Sequence, residues 1–303
     1  MQATERVGQD VRAPVRLRSR RWKRVRTSAL DSLRYLIIAV LGFVFLLPFL
    51  WMVSASLKTM QDLVRIPQPF FPEVAHWSNY RVAWTSAPFT RWTINTVVVT
   101  VIRIVGTLIS CTLVAYGFAF TRFKGRDVFF LLLLSTMMLP YQVTLIPTFL
   151  LFHQLGWINT FLPLTVPSFF GGAFYIFLLR QFFLTLPKEL DDAARIDGCN
   201  SLGIYWRIVL PLSQPAIAAV TAFTFIGSWN DFMGPLIYLR QDKMLTLSVG
   251  LRSFLAFGAD SAGGSQIALL MAASTATLMP VVLVFFFAQS YFVEGISFTG
   301  LKG

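Results

Sequence analysis

Long apolar stretches separated by short polar segments dominate the pattern of hydrophobic and polar positions along the chain. A helix that crosses a bilayer needs about 20 mostly apolar residues, and six stretches reach that length. They are residues 35–56, 92–120, 128–152, 161–179, 212–239 and 267–293. The pattern therefore predicts an all-α integral membrane protein with six transmembrane helices, which places both termini on the same side.

Composition favours the same class. Of the 303 residues, 55% are hydrophobic and 13% are charged, and the mean hydropathy is +0.64. Soluble domains carry about 25% charged residues, so this chain has too few charges to cover a soluble globule. The apolar stretch after Arg34 is too long for a simple secretory signal and is followed by further apolar stretches.

The distribution of basic residues predicts the orientation. The chain has 26 Lys and Arg against 14 Asp and Glu, and ten of the basic residues precede Tyr35. Short cytoplasmic loops accumulate basic residues, and an arrangement with both termini in the cytoplasm places 18 of them inside and seven outside. A nucleic-acid-binding arm is the alternative for the basic head, but its only aromatic residue is Trp22, so lipid headgroups fit better.

The same pattern divides the chain into segments. Residues 1–34 form a basic cytoplasmic head that we expect to be disordered, and residues 35–57 form the first transmembrane helix. Residues 58–91 contain several prolines and aromatic residues and read as a short folded extracytoplasmic cap. Residues 92–293 form the transmembrane core, in which a glycine-rich run at 258–264 is expected to be mobile. Residues 294–303 are a short cytoplasmic tail.

One polar segment, residues 186–211, differs from the other connections and is called the acidic segment below. It holds four of the chain's 14 acids, namely Glu189, Asp191, Asp192 and Asp197. Pro187 suits a first helical turn, Gly198 is a natural helix stop, Asn200 or Ser201 can cap a second helix, and Pro211 can end it. Asp191 and Arg195 can pair at i, i+4. The segment therefore predicts two short helices at a sharp turn.

The acidic segment resembles a known signature. Asp192-Ala193-Ala194, Gly198, Ile208, Leu210 and Pro211 match the EAA signature E-A-A-x(3)-G-x(9)-I-x-L-P of ABC-importer permease subunits, with Asp in place of Glu at position 192. Further matches indicate the carbohydrate branch of that family, the maltose-permease type. They are Pro140, Leu145-Ile146-Pro147, residues 178–183, Trp229-Asn230-Asp231 and residues 294–303. The resemblance covers the chain from about Tyr35 to its end.

The resemblance implies a type I ABC-importer permease fold in the cytoplasmic membrane of a prokaryote, moving a sugar by alternating access. The acidic segment would dock on a separate ATPase through Glu189, Asp192, Ala193, Ala194, Asp197, Gly198 and Pro211. The tail would contact the same ATPase through Ser297, Thr299 and Lys302. The alternatives are a solvated charged loop and a frayed terminus.

The implied partners are a homologous second permease, a pair of ATPase subunits, an extracytoplasmic solute-binding protein, lipid and the sugar, with no nucleic acid. The chain lacks the P-loop pattern GxxxxGK[ST], so ATP and Mg²⁺ are expected on the partner ATPase and no cofactor is expected on this chain. Cys111, Cys199, His76 and His153 do not form a metal-ligand spacing.

Polar residues inside apolar stretches are candidates for the substrate path, because such residues are costly in hydrocarbon. Trp229, Asn230 and Asp231 could stack on a sugar ring and bind its hydroxyls, with Thr136 and Gln142 near the proline breaks as secondary candidates. Alternatively, Asp231 lies near the outer membrane interface or pairs with Arg103 to hold two helices together, or the partner permease holds the substrate.

Two other classes are weighed against the importer. A proton- or sodium-coupled secondary transporter would need several intramembrane acids and inverted repeats, and only Asp231 is available. A membrane enzyme would need a nucleophile, base or metal constellation, and none is present in the sequence. A mono- or oligosaccharide is the expected substrate, with a polyol or glycerol phosphate as a further possibility.

Overall fold

The computed structural model describes residues 18–257 and 265–297, with side chains described for residues 31–59, 61–254 and 267–289. Within those ranges all regular structure is helical. The chain divides into two units that meet between residues 52 and 53. The first unit consists, in its described part, of most of helix α1 (Arg18–Ser56).

Helix α1 begins earlier than the sequence predicts. Arg18–Arg34 were expected to be disordered and are helical instead, since this stretch contains neither Gly nor Pro and is rich in good helix formers. Asp31 and Arg34 form an exposed ion pair of 2.9 Å on this helix. The rest of the basic head, residues 1–17, lies outside the described residues.

The second unit holds the remaining helices. They are α2 (Met60–Val64), α3 (Ser78–Ser86), α4 (Phe89–Phe120), α5 (Arg126–Ser135), α6 (Tyr141–Gln154), α7 (Leu162–Thr165), α8 (Ala173–Phe183), α9 (Lys188–Ile196), α10 (Ser201–Ile204), α11 (Leu210–Leu212), α12 (Gln214–Trp229), α13 (Met233–Tyr238), α14 (Leu247–Phe257) and α15 (Ser265–Ser297). Shorter 3₁₀ turns lie at Thr136–Met138, Val166–Phe170 and Asp242–Met244, and a π-helical turn at Tyr205–Val209.

Four helical segments of the described chain are long and apolar enough to cross a membrane without a break: Asp31–Ser56, Phe89–Phe120, Leu162–Phe183 and Ile267–Gln289. Two further candidates are bent pairs. The segments Arg126–Met138 and Tyr141–Gln154 meet at 97°, and Ser201–Leu212 and Gln214–Trp229 meet at 77°. The number of spans is thus between four and six, and all lie in or overlap the predicted apolar stretches.

The first bend follows from proline chemistry. Pro140 has no N–H to donate and disfavours helical geometry at Leu139, which is extended with ψ 114°. Pro147, in contrast, lies inside α6 without ending it. At the second bend the helix runs through Pro211, which was expected to end it, and breaks at Ser213 instead.

Helix α4 is the centre of the second unit and packs against α8, α12 and the turn at Val166–Phe170. Its amino-terminal half lies in a cluster of buried residues that includes Phe89, Trp92, Trp229 and Leu247, called the Trp92 cluster here. Its carboxyl-terminal half lies in a second cluster around Cys111, Leu179, Ile204 and Val220, called the Leu179 cluster here.

The predicted cap contains α2 and α3. Polar contacts hold it together and attach it to the end of α1. The Asn79 amide donates to the carbonyls of Ser56 (2.9 Å) and Lys58 (3.0 Å). Lys58 is fully buried and its ammonium group donates to the Pro69 carbonyl. Burial lowers the pKa of Lys58, while the nearby Asp62 carboxylate acts in the opposite direction.

Two expected boundaries near the end of the chain differ. Between the fifth and sixth apolar stretches, residues 240–266 were expected to form an outer loop, but part of them forms helix α14, and the glycine-rich run at 258–264 lies outside the described residues. Helix α15 continues through Ser297, so the tail expected from residue 294 begins as helix. Thr299 and Lys302 lie outside the described residues, and the side chain of Ser297 is also outside them.

Candidate functional site

The acidic segment forms two helices that meet at a left-handed glycine. Helix α9 has Pro187 before its first residue, Glu189 and Asp191 in its first turn and Arg195 in its last, as suits the helix dipole. Gly198 has φ +82°, a conformation that residues with a Cβ adopt only at a cost. The Asn200 side chain accepts from Gly203 N–H at 2.7 Å and caps the next helix. The predicted bend is therefore confirmed.

The acids of this segment are arranged as the sequence predicts. The Arg195 guanidinium donates to the Asp191 carboxylate at 3.1 Å, one helical turn apart. This hydrogen bond and the carboxylate charge raise the pKa of Arg195. Of the residues predicted to dock on a partner, Ala194 is buried. The others are exposed: Glu189, Asp192, Ala193, Asp197, Gly198 and Pro211.

Large apolar side chains are exposed beside these acids. Ile196 is 86% exposed, and Leu202 and Trp206 are each more than half exposed. Underneath, the segment is anchored to α4: the Tyr116 hydroxyl donates to the Ser201 carbonyl at 3.0 Å, and the Thr112 and Tyr205 hydroxyls lie 2.7 Å apart. The result is a fixed base with an outer surface of acids and apolar side chains, of the kind found at protein interfaces.

A cleft lies between the Trp92 and Leu179 clusters. Its volume is about 440 Å³, within the range of about 300–1,000 Å³ typical of small-molecule sites. Side chains from α4, α6, α8, α12 and α13 contribute to its wall. The hydroxyl-bearing residues that line it are Thr107, Tyr141, Thr144, Thr148, Ser168, Tyr175, Thr224, Ser228 and Tyr238.

An ion pair forms part of the cleft wall. The Arg103 Nη1 donates to the Asp231 Oδ2 at 2.8 Å, and the two side chains are 29% and 24% exposed. The second oxygen of Asp231 accepts from Gly234 N–H at 3.2 Å. Asp231 lies in the turn after α12, so the pair joins that turn to the middle of α4. The alternative in which Asp231 pairs with Arg103 is the one that the structure contains.

The other predicted substrate-path residues lie elsewhere. The Trp229 ring is buried, stacks on Phe225 and donates to the Thr277 carbonyl of α15 at 3.1 Å. Asn230 is exposed and donates to the Ile226 carbonyl of its own helix. Thr136 and Gln142 are exposed and are not among the residues that line the cleft. The structure thus brings only Asp231 of the five predicted residues to the cleft.

The cleft hydroxyls were missed because they are spread over several helices and none stands out alone. Thr and Tyr are unremarkable in an apolar helix, where a Thr hydroxyl can bond a carbonyl of the preceding turn. A sequence signal did exist for the third stretch, since Tyr141, Thr144 and Thr148 are spaced at i, i+3 and i+7 and so share a helix face.

Comparison with known proteins assigns the family. Residues 106–298 match the family described as the binding-protein-dependent transport system inner membrane component. The arabinooligosaccharides transport system permease protein AraQ of Halalkalibacterium halodurans is 35% identical, covering 93% of this chain and 100% of AraQ. The sn-glycerol-3-phosphate transport system permease protein UgpE of Yersinia enterocolitica is 36% identical, covering 86% and 93%.

The fold has a solved counterpart. One chain of a bacterial ABC transporter involved in the import of the acidic polysaccharide alginate superposes with a TM-score of 0.78 at 26% identity, covering 92% of this chain and 100% of that one. The chain therefore belongs to the family of binding-protein-dependent transport system inner membrane components. The family match confirms the resemblance drawn from the sequence. The chain is a membrane protein and a transport permease, similar to the permeases of sugar importers.

Proposed function

We propose that this chain is the transmembrane permease subunit of an ATP-binding-cassette importer for a carbohydrate, working by alternating access across the cytoplasmic membrane of a prokaryote. Its relatives are named for arabinooligosaccharides and for sn-glycerol 3-phosphate, and its structural counterpart belongs to an importer of alginate. A sugar or a sugar-like polyol is the chemistry these have in common. The proposed orientation, with both termini in the cytoplasm, follows from the basic residues.

The observation that carries this function is the exposed surface of the acidic segment. Three exposed acids of α9 and its cap, Glu189, Asp192 and Asp197, and a bare left-handed glycine lie in the same segment as the exposed side chains of Ile196, Leu202 and Trp206. Acids supply a charge pattern and apolar side chains supply burial, which is what a docking surface for a basic-rimmed groove requires. The partner proposed for this surface is a cytosolic ATPase, one of a pair.

The remaining partners follow from the family. A homologous second permease would complete the transmembrane pathway, and an extracytoplasmic solute-binding protein would deliver the sugar to the opposite face. ATP and Mg²⁺ would bind to the ATPase. The tail residues Ser297, Thr299 and Lys302 are proposed to contact the same ATPase, and deletion of residues 297–303 would then reduce the stimulation of ATP hydrolysis.

The test uses two glycines that share one conformation. Gly198 and Gly156 have φ +82° and +70°, and a Cβ at either would meet no atom within 4 Å. Substitution by Leu therefore imposes similar backbone strain of about 1–2 kcal/mol at both positions. Only Gly198→Leu places a bulky side chain in the proposed docking surface. The tagged chain is purified from its own membranes and the ATPase activity that accompanies it is measured as phosphate release.

Gly198→Leu should lose the accompanying ATPase activity while the protein still reaches the membrane, and Gly156→Leu should keep it. Equal retention by both variants would contradict docking at the acidic segment. Sugar uptake into cells provides the second readout: uptake that stops on ATP depletion but continues with an uncoupler supports the importer. Uptake that stops with the uncoupler alone would instead indicate the secondary transporter.

A further inference from the structure

The wall of the cleft contains a hydroxyl group without a partner. Thr224 lies on α12, is 5% exposed and lines the cleft. Its Oγ1 has no hydrogen-bond partner among the described residues. Buried hydroxyl groups nearly always have a hydrogen-bond partner in the protein or an ordered water. Because Thr224 lines the cleft, a ligand that fills the cleft can supply this bond once the Thr224 side chain turns toward it.

The cleft is electrically balanced. Arg103 and Asp231 are the charged residues that line it, and they have opposite signs and lie in direct contact. An anionic ligand attracted by the guanidinium would approach the Asp231 carboxylate as well. The two effects oppose each other at similar distances, so the pair offers a strong dipole and no net charge.

Donor groups nevertheless remain available at the pair. A guanidinium has five N–H donors, and within the described residues only the Nη1 of Arg103 has a protein acceptor. The Asp231 oxygens accept from Arg103 and from the Gly234 N–H. The pair can therefore donate further hydrogen bonds, which suits the oxygen atoms of an uncharged alcohol.

Aromatic rings complete the set. Tyr141 is about half exposed at the cleft, and Tyr175 and Tyr238 also line it. Aromatic faces cover the C–H faces of sugar rings while hydroxyls bind at the ring edges. Several hydroxyl side chains at the cleft donate to helix carbonyls, as Thr148 does to Thr144 and Ser168 to Thr165. Their oxygen atoms retain acceptor capacity for the hydroxyls of a ligand.

From the unpartnered Thr224 hydroxyl and the balanced ion pair we infer that this cleft is itself a subsite for an uncharged sugar, with Thr224 and Arg103 among its ligand contacts. The inference rests on the proposed function and narrows it in two ways. It places substrate on this chain as well as on any partner permease, and it selects a neutral carbohydrate over a uronate oligosaccharide or glycerol 3-phosphate.

The intact transporter is purified by a tag on the full-length chain and reconstituted in lipid nanodiscs. Sugar binding to it is then measured by saturation-transfer NMR. The probes are arabinotriose and maltotriose as neutral sugars, and trigalacturonate and glycerol 3-phosphate as anions. The test variant is Thr224→Val, which removes the unpartnered hydroxyl and should leave stability unchanged or slightly higher. The matched control is Thr221→Val on the same helix, whose hydroxyl bonds to the Ile217 carbonyl at 2.8 Å outside the cleft.

We expect saturation transfer to at least one neutral trisaccharide and none to the anions. Thr224→Val should weaken that binding by roughly five-fold, the value of one ordinary hydrogen bond, whereas Thr221→Val should not change it. Asp231→Asn leaves Arg103 uncompensated and should let trigalacturonate bind. Preference of the wild type for an anion, or equal effects of the two Thr variants, would overturn the inference.

Absence of neutral-sugar binding would also overturn it. That failure is separable from failure of the proposed function, because ATPase association through Gly198 does not depend on the cleft. A chain that keeps its ATPase but binds none of the neutral probes would still be an importer subunit, with its sugar held elsewhere.

Discussion

The two ends of helix α4 are held by different kinds of contact. At the amino-terminal end, α4 side chains bind the main chain of the segment between α13 and α14. The Trp92 indole N–H donates to the Asp242 carbonyl at 3.2 Å, and the Asn95 amide donates to those of Lys243 (3.0 Å) and Leu245 (2.8 Å). The Thr96 hydroxyl accepts from Leu247 N–H at 2.8 Å.

At the carboxyl-terminal end, α4 meets the acidic segment. There the Tyr116 and Thr112 hydroxyls make the polar contacts, and ring packing between Tyr116 and Tyr205 adds to them. The outer side of this segment keeps Ile196 and Trp206 exposed. The amino-terminal end is thus closed by bonds within the chain, while the carboxyl-terminal end presents side chains that the described residues leave exposed.

The difference fits different roles for the two ends, with the proposed docking surface at the carboxyl-terminal end. A connection fixed through its main chain keeps its shape whatever happens beyond it, and the buried bonds there favour one arrangement. A docking surface also needs a fixed base, but the groups on its outer side must be left unpaired so that a partner can bind them. The cleft lies between the two ends of α4. A movement of one end relative to the other would therefore change the surroundings of a bound solute.

The largest expected effect comes from a steric clash at the amino-terminal end of α4, called the closed end below. A Cβ at Gly250 would lie 2.3 Å from two ring carbons of Trp92, which is buried and bonded to the Asp242 carbonyl. Gly250→Ala should therefore lower the free energy of unfolding by about 3 kcal/mol. The matched control is Gly117→Ala inside α4, where the nearest atom is 4.0 Å away. Thermal unfolding in detergent should show a large loss for the first variant only.

The second effect comes from removing the Asn95 amide. Asn95→Ala leaves two carbonyls without their donor and should cost about 2 kcal/mol. Asn230→Ala is the comparison for stability, because its amide is exposed and bonds to its own helix. If both variants unfold at the same temperature, the closed end is not fixed by these bonds and the contrast between the two ends fails.

The sequence predicted local features of both ends and missed what joins them. The bend at Gly198, the Asn200 cap and the pair of Asp191 with Arg195 all follow from residues close in sequence, where helix rules apply. The positions of the six apolar stretches follow from the same short-range information. The break at Leu139 follows from Pro140, but Pro147 and Pro211 lie within helices, so a proline in the sequence does not by itself locate a break.

Contacts between distant helices were the part that pattern alone could not assign. The Trp229 indole was a candidate for a sugar face, yet it donates to Thr277, 48 residues along the chain. The pairing of Arg103 with Asp231 was left as one of several alternatives, because a carboxylate in an apolar stretch has several possible partners. The cleft hydroxyls come from five α-helices and one 3₁₀ turn, and their convergence is a property of packing.

The third prediction tests whether that ion pair connects the two ends. Arg103→Gln leaves the Asp231 carboxylate with the Gly234 N–H as its remaining protein donor, and should lower the free energy of unfolding by about 1–2 kcal/mol for a pair about a quarter exposed. The double variant Arg103→Gln with Asp231→Asn should recover much of this loss, because two amides can bond without charge. Folded yield and thermal midpoint provide the readout, and additive losses in the double variant would exclude coupling.

The smallest effect concerns the capping box of α2, in the cap beside the closed end. The Thr59 hydroxyl donates to the Asp62 carboxylate at 2.9 Å, the Thr59 N–H adds a bond at 3.2 Å, and the hydroxyl accepts from Asp62 N–H. These bonds from the side chain and then the backbone of Thr59 lower the pKa of Asp62. A lowered carboxyl pKa means that the carboxylate stabilises the fold above the ordinary Asp value of about 3.9.

That stabilisation is then lost as the pH falls through the lowered pKa that Asp62 has in the folded state. Asp62→Asn should lower the thermal midpoint slightly at neutral pH, and the gap from the wild type should close in acid. Thr59→Val removes the hydroxyl that lowers the pKa, so its own midpoint should depend less on pH in this range. A gap between wild type and Asp62→Asn that stays constant from neutral pH into acid would show that the charge of Asp62 does not stabilise the cap.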